Sequence, residues 1–221
     1  MTKIKICGIT NEKDALWAAN AGVDFIGVNF YKNSPRKVSV NMAKKITSSS
    51  PEFVRIVGVF VDEEIDVVLK IVKKVGLNAV QLHGNETPEY CAQLKEKISV
   101  SVPANTLWEG KPCIIKAFRI GGDFQMEQVS KYNDVDYFLL DTFVNNLPGG
   151  TGQVFNWDTA VEIKKLGKPI FLSGGLTSEN VSEAIKKVEP YAVDVCSSIE
   201  RTPTRKDYDK MLSFVKTVRK I

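Results

Sequence analysis

The sequence of 221 residues predicts one (β/α)8 barrel, a TIM barrel, spanning residues 1–221 as a single domain. Three observations point there. Short β-branched runs alternate with amphipathic stretches, the alternation repeats eight times, and the repeats leave no segment for a second domain. Right-handed strand–helix crossovers in such a series close most naturally on themselves. A doubly wound open sheet would show fewer strands and a GxGxxG turn after the first, and that turn is missing.

The first unit pairs KIKICGI (3–9) with the helical pattern NEKDALWAANAG (11–22), where Thr10/Asn11 offer an N-cap and Gly22 a C-terminal cap. DFIGVNF (24–30) leads through a polar loop, KNSPRKVS, to the helix NMAKKITSS (41–49). VRIVGVFV (54–61) precedes EEIDVVLKIVKKVG (63–76), which ends on Gly76. AVQLHG (79–84) precedes PEYCAQLKEKI (88–98), and CIIKAFRI (113–120) precedes the helical pattern FQMEQVSKYN (124–133). YFLLDT (137–142) runs through PGGTGQ (148–153) into NWDTAVEIKKLG (156–167), closed by Gly167. PIFLSGG (169–175) feeds SENVSEAIKKVEP (178–190) with Thr177/Ser178 as caps. AVDVCSS (192–198) and TRKDYDKMLSFVKTVRK (204–220) complete the ring.

Composition narrows the function. Hydrophobic residues at 43% against 25% charged suit a globular core, and 30 Lys+Arg against 26 Asp+Glu are interspersed without a basic stripe, so no nucleic-acid partner is expected. The four cysteines (Cys7, Cys91, Cys113, Cys196) are scattered and His83 is the lone histidine, so no metal site is expected. MTKIKICGIT is too charged for a signal peptide, and no apolar run approaches the ~18 residues of a membrane span. A cytoplasmic protein with reduced thiols and no membrane partner follows, either a monomer or a homodimer.

In such a barrel the site forms at the C-terminal ends of the strands and in the loops that follow. Cys7, Arg36, His83, Asp141, Gly174, Gly175 and the stretch from Asp194 to Ser198 therefore converge on one mouth. Cys7 reads as a small buried hydrophobe or as a base that needs nearby positive charge. Asp141, after an apolar run, reads as a loop cap or as a general acid whose pKa burial would raise. Arg36 is either solvated or a two-pronged clamp for a planar carboxylate. His83 suits a structural role or a catalytic one. Glycine- and serine-rich loops after the last strands fit the barrel phosphate cradle, built from backbone N–H groups. The residues alone thus describe a sugar-phosphate-binding barrel enzyme.

KICGIT (5–10), SPRKVS (34–39), VGVFV (57–61), VQLHGNE (80–86), LLDT (139–142), GGTGQVFNW (149–157), SGGLTSENV (173–181) and VDVCSSIE (193–200), in that order, resemble the phosphoribosylanthranilate isomerase family of tryptophan biosynthesis. The resemblance spans essentially the whole chain. It implies a cofactor-free Amadori rearrangement of the small-molecule substrate N-(5-phosphoribosyl)anthranilate, with Cys7 as general base, as a thiolate, and Asp141 as general acid. It implies Arg36 on the anthranilate carboxylate, with Gln81, His83 and Asp194 as supporting groups around the sugar. It puts the phosphate on the loops holding Gly150 and Gly152, Gly174 and Gly175, and Ser197 and Ser198. Two positions depart from the family pattern: Ser198 stands where a glycine is usual and Asn29 where an apolar residue is usual. Rival readings are another phosphate-binding barrel enzyme, which would use paired carboxylates or a lysine, and a non-catalytic sugar-phosphate-binding module.

Overall fold

The computed structural model describes residues 1–102, 110–121, 124–142 and 156–221. Its strands are β1 (Lys3–Ile6), β2 (Phe25–Asn29), β3 (Arg55–Phe60), β4 (Ala79–Leu82), β5 (Cys113–Ile120), β6 (Tyr137–Thr142), β7 (Ile170–Leu172) and β8 (Ala192–Val195). All pair in parallel, each with its neighbour in sequence, and β8 pairs back onto β1 to close the barrel. The predicted fold is therefore the observed one. Closure is in register, with Lys5 opposite Asp194 and Ile6 opposite Val195. The ladder continues past the strand, because Cys7 N donates to the Val195 carbonyl at 2.9 Å.

Around the ring lie α1 (Glu12–Ala21), α2 (Val40–Ser49), α3 (Ile65–Val75), α4 (Pro88–Ser101), α5 (Trp157–Lys164), α6 (Val181–Val188) and α7 (Tyr208–Arg219). Their inner faces follow the helical period: α3 buries Val68, Leu69, Val72 and Val75, and α6 buries Val181, Ala184, Ile185 and Val188. Asn11 Oδ1 accepts from Asp14 N at 2.9 Å, capping α1 as the sequence implies. Because helices cover one face of each strand and the barrel interior the other, the strands read as nearly continuous apolar runs.

Three local expectations need correction. The fifth crossover is a 3-10 helix (Met126–Lys131) and not an α-helix. Its apolar residues Met126, Val129 and Tyr132 recur every third position, the spacing that a 3-10 turn stacks on one face. α6 starts at Val181, later than Ser178, since Thr177 and Asn180 close a turn in which Asn180 Oδ1 accepts from Thr177 N at 2.8 Å. The last helix starts at Tyr208, because residues before it form a small antiparallel pair, β9 (Glu200–Thr202) with β10 (Arg205–Lys206).

Candidate active site

At the C-terminal end of the barrel a cavity of about 350 Å³ opens among the strand ends and the loops after them. Cys7, Arg36, Gln81, His83 and Asp141 line it, and so do Gly174, Gly175, Asp194, Ser197 and Ser198. Gly150 and Gly152 lie outside the described residues. Every other predicted site residue therefore reaches one space, from six different units of the ring. Among the described residues no cluster of His, Cys, Asp and Glu could hold a metal ion.

Beneath Cys7 sits an ion pair that the sequence pattern conceals. Lys5 Nζ donates to Asp194 Oδ1 at 2.9 Å, with the lysine side chain wholly buried. Burial alone would push Lys5 down, but the facing Asp194 charge overrides it and holds the ammonium above its ordinary range. Cys7 responds to these same groups. Burial pushes its thiol up to about 11, against the pull of Lys5 and with the help of Asp194 and Cys196. Burial thus favours the thiol, while the Lys5 ammonium beneath it favours the thiolate.

Why a glycine follows that cysteine is now clear. Gly8 has φ +73°, and a Cβ there would lie 2.5 Å from Arg36 Cδ and 3.0 Å from Cys196 Sγ. The bare backbone turns away from β1 and lets the Arg36 stem lie across it. Arg36 itself is a two-pronged clamp, but its Nε and Nη2 grip Glu200, at 2.7 and 2.6 Å. Nothing in the local pattern points to that partner.

Across the ring, Asp141 lies one residue before the end of β6. Its Oδ1 accepts from Thr142 N at 2.9 Å, and its Oδ2 lies 3.4 Å from His83 Nε2. Gln81 Nε2 meets His83 Nδ1 at 2.9 Å. With the amide nitrogen donating, His83 Nδ1 accepts and Nε2 carries the proton toward Asp141. His83, just past β4, is thereby tied both to Gln81 on that strand and to the Asp141 carboxyl.

The loops after β7 and β8 make the remaining wall. Gly174 has φ +87°, and a Cβ there would collide with the Oγ1 and backbone N of Thr142. Asn180 Nδ2 holds the Gly175 carbonyl at 2.9 Å. Ser198, the departure from the family glycine, donates its hydroxyl to the Leu176 carbonyl at 2.6 Å and so ties the two loops together. Asn29, the other departure, closes a turn at the end of β2: its Oδ1 accepts from Tyr31 N at 2.8 Å.

Comparison with known proteins agrees over the whole chain. The family model for N-(5'-phosphoribosyl)anthranilate (PRA) isomerase matches residues 4–217. The N-(5'-phosphoribosyl)anthranilate isomerase of Trichlorobacter lovleyi is 41% identical over 219 residues, which is 99% of this chain and 98% of the relative. A crystal structure of the Thermotoga maritima phosphoribosyl anthranilate isomerase superposes with a TM-score of 0.87 at 37% identity, covering 100% of both chains. A structure of such an isomerase in complex with reduced 1-(o-carboxyphenylamino)-1-deoxyribulose 5-phosphate superposes at 0.84, again with 37% identity and 100% of both chains. With its closed parallel barrel and full-length likeness to these proteins, the chain belongs to the phosphoribosylanthranilate isomerase family and is an enzyme of that kind.

Proposed function

We propose that Cys7 and Asp141 carry the two proton transfers of an Amadori rearrangement, converting N-(5-phosphoribosyl)anthranilate into 1-(o-carboxyphenylamino)-1-deoxyribulose 5-phosphate in cytoplasmic tryptophan biosynthesis. The observation that carries this reading is that a thiol after β1 and a carboxyl on β6 line one cavity of about 350 Å³. That volume fits a single small ligand.

Asp141 protonates the furanose oxygen as the C1′–O bond breaks, and the anilinic nitrogen lone pair forms the C=N bond of a Schiff base. Cys7, as the thiolate, then takes the proton from C2′ and becomes the thiol, and the resulting enolamine tautomerises to the ketone. The cation formed at nitrogen in the first step stabilises a neighbouring thiolate, opposing the burial that favours the thiol in the empty site. His83, held by Gln81, orients the Asp141 carboxyl. Asp194 neutralises Lys5 below the sugar. Backbone N–H groups around Gly174, Gly175, Ser197 and Ser198 take the phosphate, supported by the loop-to-loop bond from Ser198. Arg36 meets the anthranilate carboxylate.

Cys7→Ala and Asp141→Asn test the assignment together. In a strain lacking the isomerase, wild type restores growth without tryptophan and neither variant does, while both purified variants stay folded and still bind the reduced product. Growth and near-native turnover with Cys7→Ala would overturn it.

A further inference from the structure

Arg36 enters the cavity with part of its hydrogen-bonding capacity already committed. Nε–H and one Nη2–H fork onto Glu200 at 2.7 and 2.6 Å, which leaves the guanidinium edge made by Nη1 and the second Nη2–H. Alone, the Glu200 carboxylate would cancel the arginine charge. It is not alone: Lys206 Nζ, fully buried, donates to Glu200 Oε1 at 3.1 Å and to the Cys196 carbonyl at 2.8 Å. The Lys206 backbone is anchored in turn, its N–H donating to Asp14 Oδ2 at 2.9 Å. Two cations around one carboxylate leave a net charge of about +1 on the cluster, beside the cavity that Arg36 lines.

The geometry is that of a mounted tool. The arginine stem crosses Gly8, where no Cβ could sit, and the carboxylate fork fixes the plane of the guanidinium. Burial would raise the Glu200 pKa, but the Arg36 and Lys206 contacts outweigh it and keep the carboxylate ionised. We infer that Glu200 and Lys206 are positioning residues: together they hold the free edge of Arg36 toward the ligand's ring carboxylate and make this cluster the point that distinguishes a carboxylated aryl amine from a neutral one. The inference rests on the substrate reading above.

The experiment uses Glu200→Gln, Glu200→Asp and Lys206→Met in the full chain. The probes are the reduced product analogue with its ring carboxylate and the same molecule with an unsubstituted phenyl ring. Wild type prefers the carboxylated probe. Glu200→Gln raises KM and the Kd of that probe by about 10–100-fold, the size of one charge-assisted hydrogen-bond set, with kcat within about threefold and the Kd of the phenyl probe unchanged. Lys206→Met shifts the same two quantities in the same direction, because Glu200 then cancels Arg36. Glu200→Asp keeps the charge and the fold but is one methylene short, so it gives a smaller loss, again confined to the carboxylated probe. Equal weakening of both probes, or full preference retained in all three variants, would overturn the inference. A wild-type protein that binds the two probes equally would instead overturn the carboxylate assignment of Arg36 itself.

Discussion

The two ends of the barrel interior are built from the same strands and on opposite principles. Toward the N-terminal ends, Phe25 meets Phe171 edge-on at 5.2 Å between ring centroids, Tyr137 meets Phe171 at 5.4 Å, and Tyr191 stacks obliquely on Tyr137 at 5.0 Å. This floor fills space with rings and apolar side chains, and Phe171 and Leu139 have no exposed surface. One layer up, the residue opposite Phe25 in register is Lys5, and its partner is a buried carboxylate. A buried ion pair commonly contributes less to stability than apolar residues of the same size. Stability is thus a weak reason for charges at that level, and the pull of Lys5 on the Cys7 thiol is their nearest electrostatic consequence. The floor holds the ring together; the mouth is where the fold gives up packing for chemistry.

Substitutions at the two ends should separate these roles. The largest effect is expected for Cys7→Ser, whose hydroxyl is a far weaker base: turnover falls by about a thousandfold or more in a steady-state assay, with unfolding unchanged. Turnover within a few-fold of wild type would break the contrast at once. Next, Phe171→Ala at the floor costs about 3–5 kcal/mol in urea unfolding, while the rate per folded molecule is kept. A smaller effect is set by pH. Since the free-site Cys7 thiol is pushed up to about 11, the ionised fraction grows about tenfold per unit below that value, so kcat/KM should climb with alkalinity through the range above neutral. Iodoacetamide labelling of Cys7 should follow the same slope, and a flat profile from pH 7 to about 9 would refute the thiol state. Smallest is Asn11→Ala, which removes the α1 cap bond to Asp14 N and costs about 1 kcal/mol in urea unfolding.

What the sequence revealed and what it hid divide along a physical line. Strand count, helix caps at Asn11, Gly22 and Gly76, and the convergence of Cys7, His83 and Asp141 follow from local period and from the geometry common to all such barrels. Lys5 did not. KIKIC alternates charge with apolar residues as a solvent-facing edge does, and Lys3 is indeed exposed, yet Lys5 points into the ring toward a partner 189 residues away. Glu200 and Lys206 were equally hidden, because the stretch before the last helix looks like loop and helix start. Its hairpin turns at Thr204, a threonine at φ +75° that no propensity would favour there. Pairings made by closure of the whole ring leave no local trace.

That closure has a bearing on how the barrel folds. Lys5 of β1 gains its counter-ion only when β8 docks beside it and closes the ring. A ring that has not closed therefore lacks the neutralised lysine under its thiol.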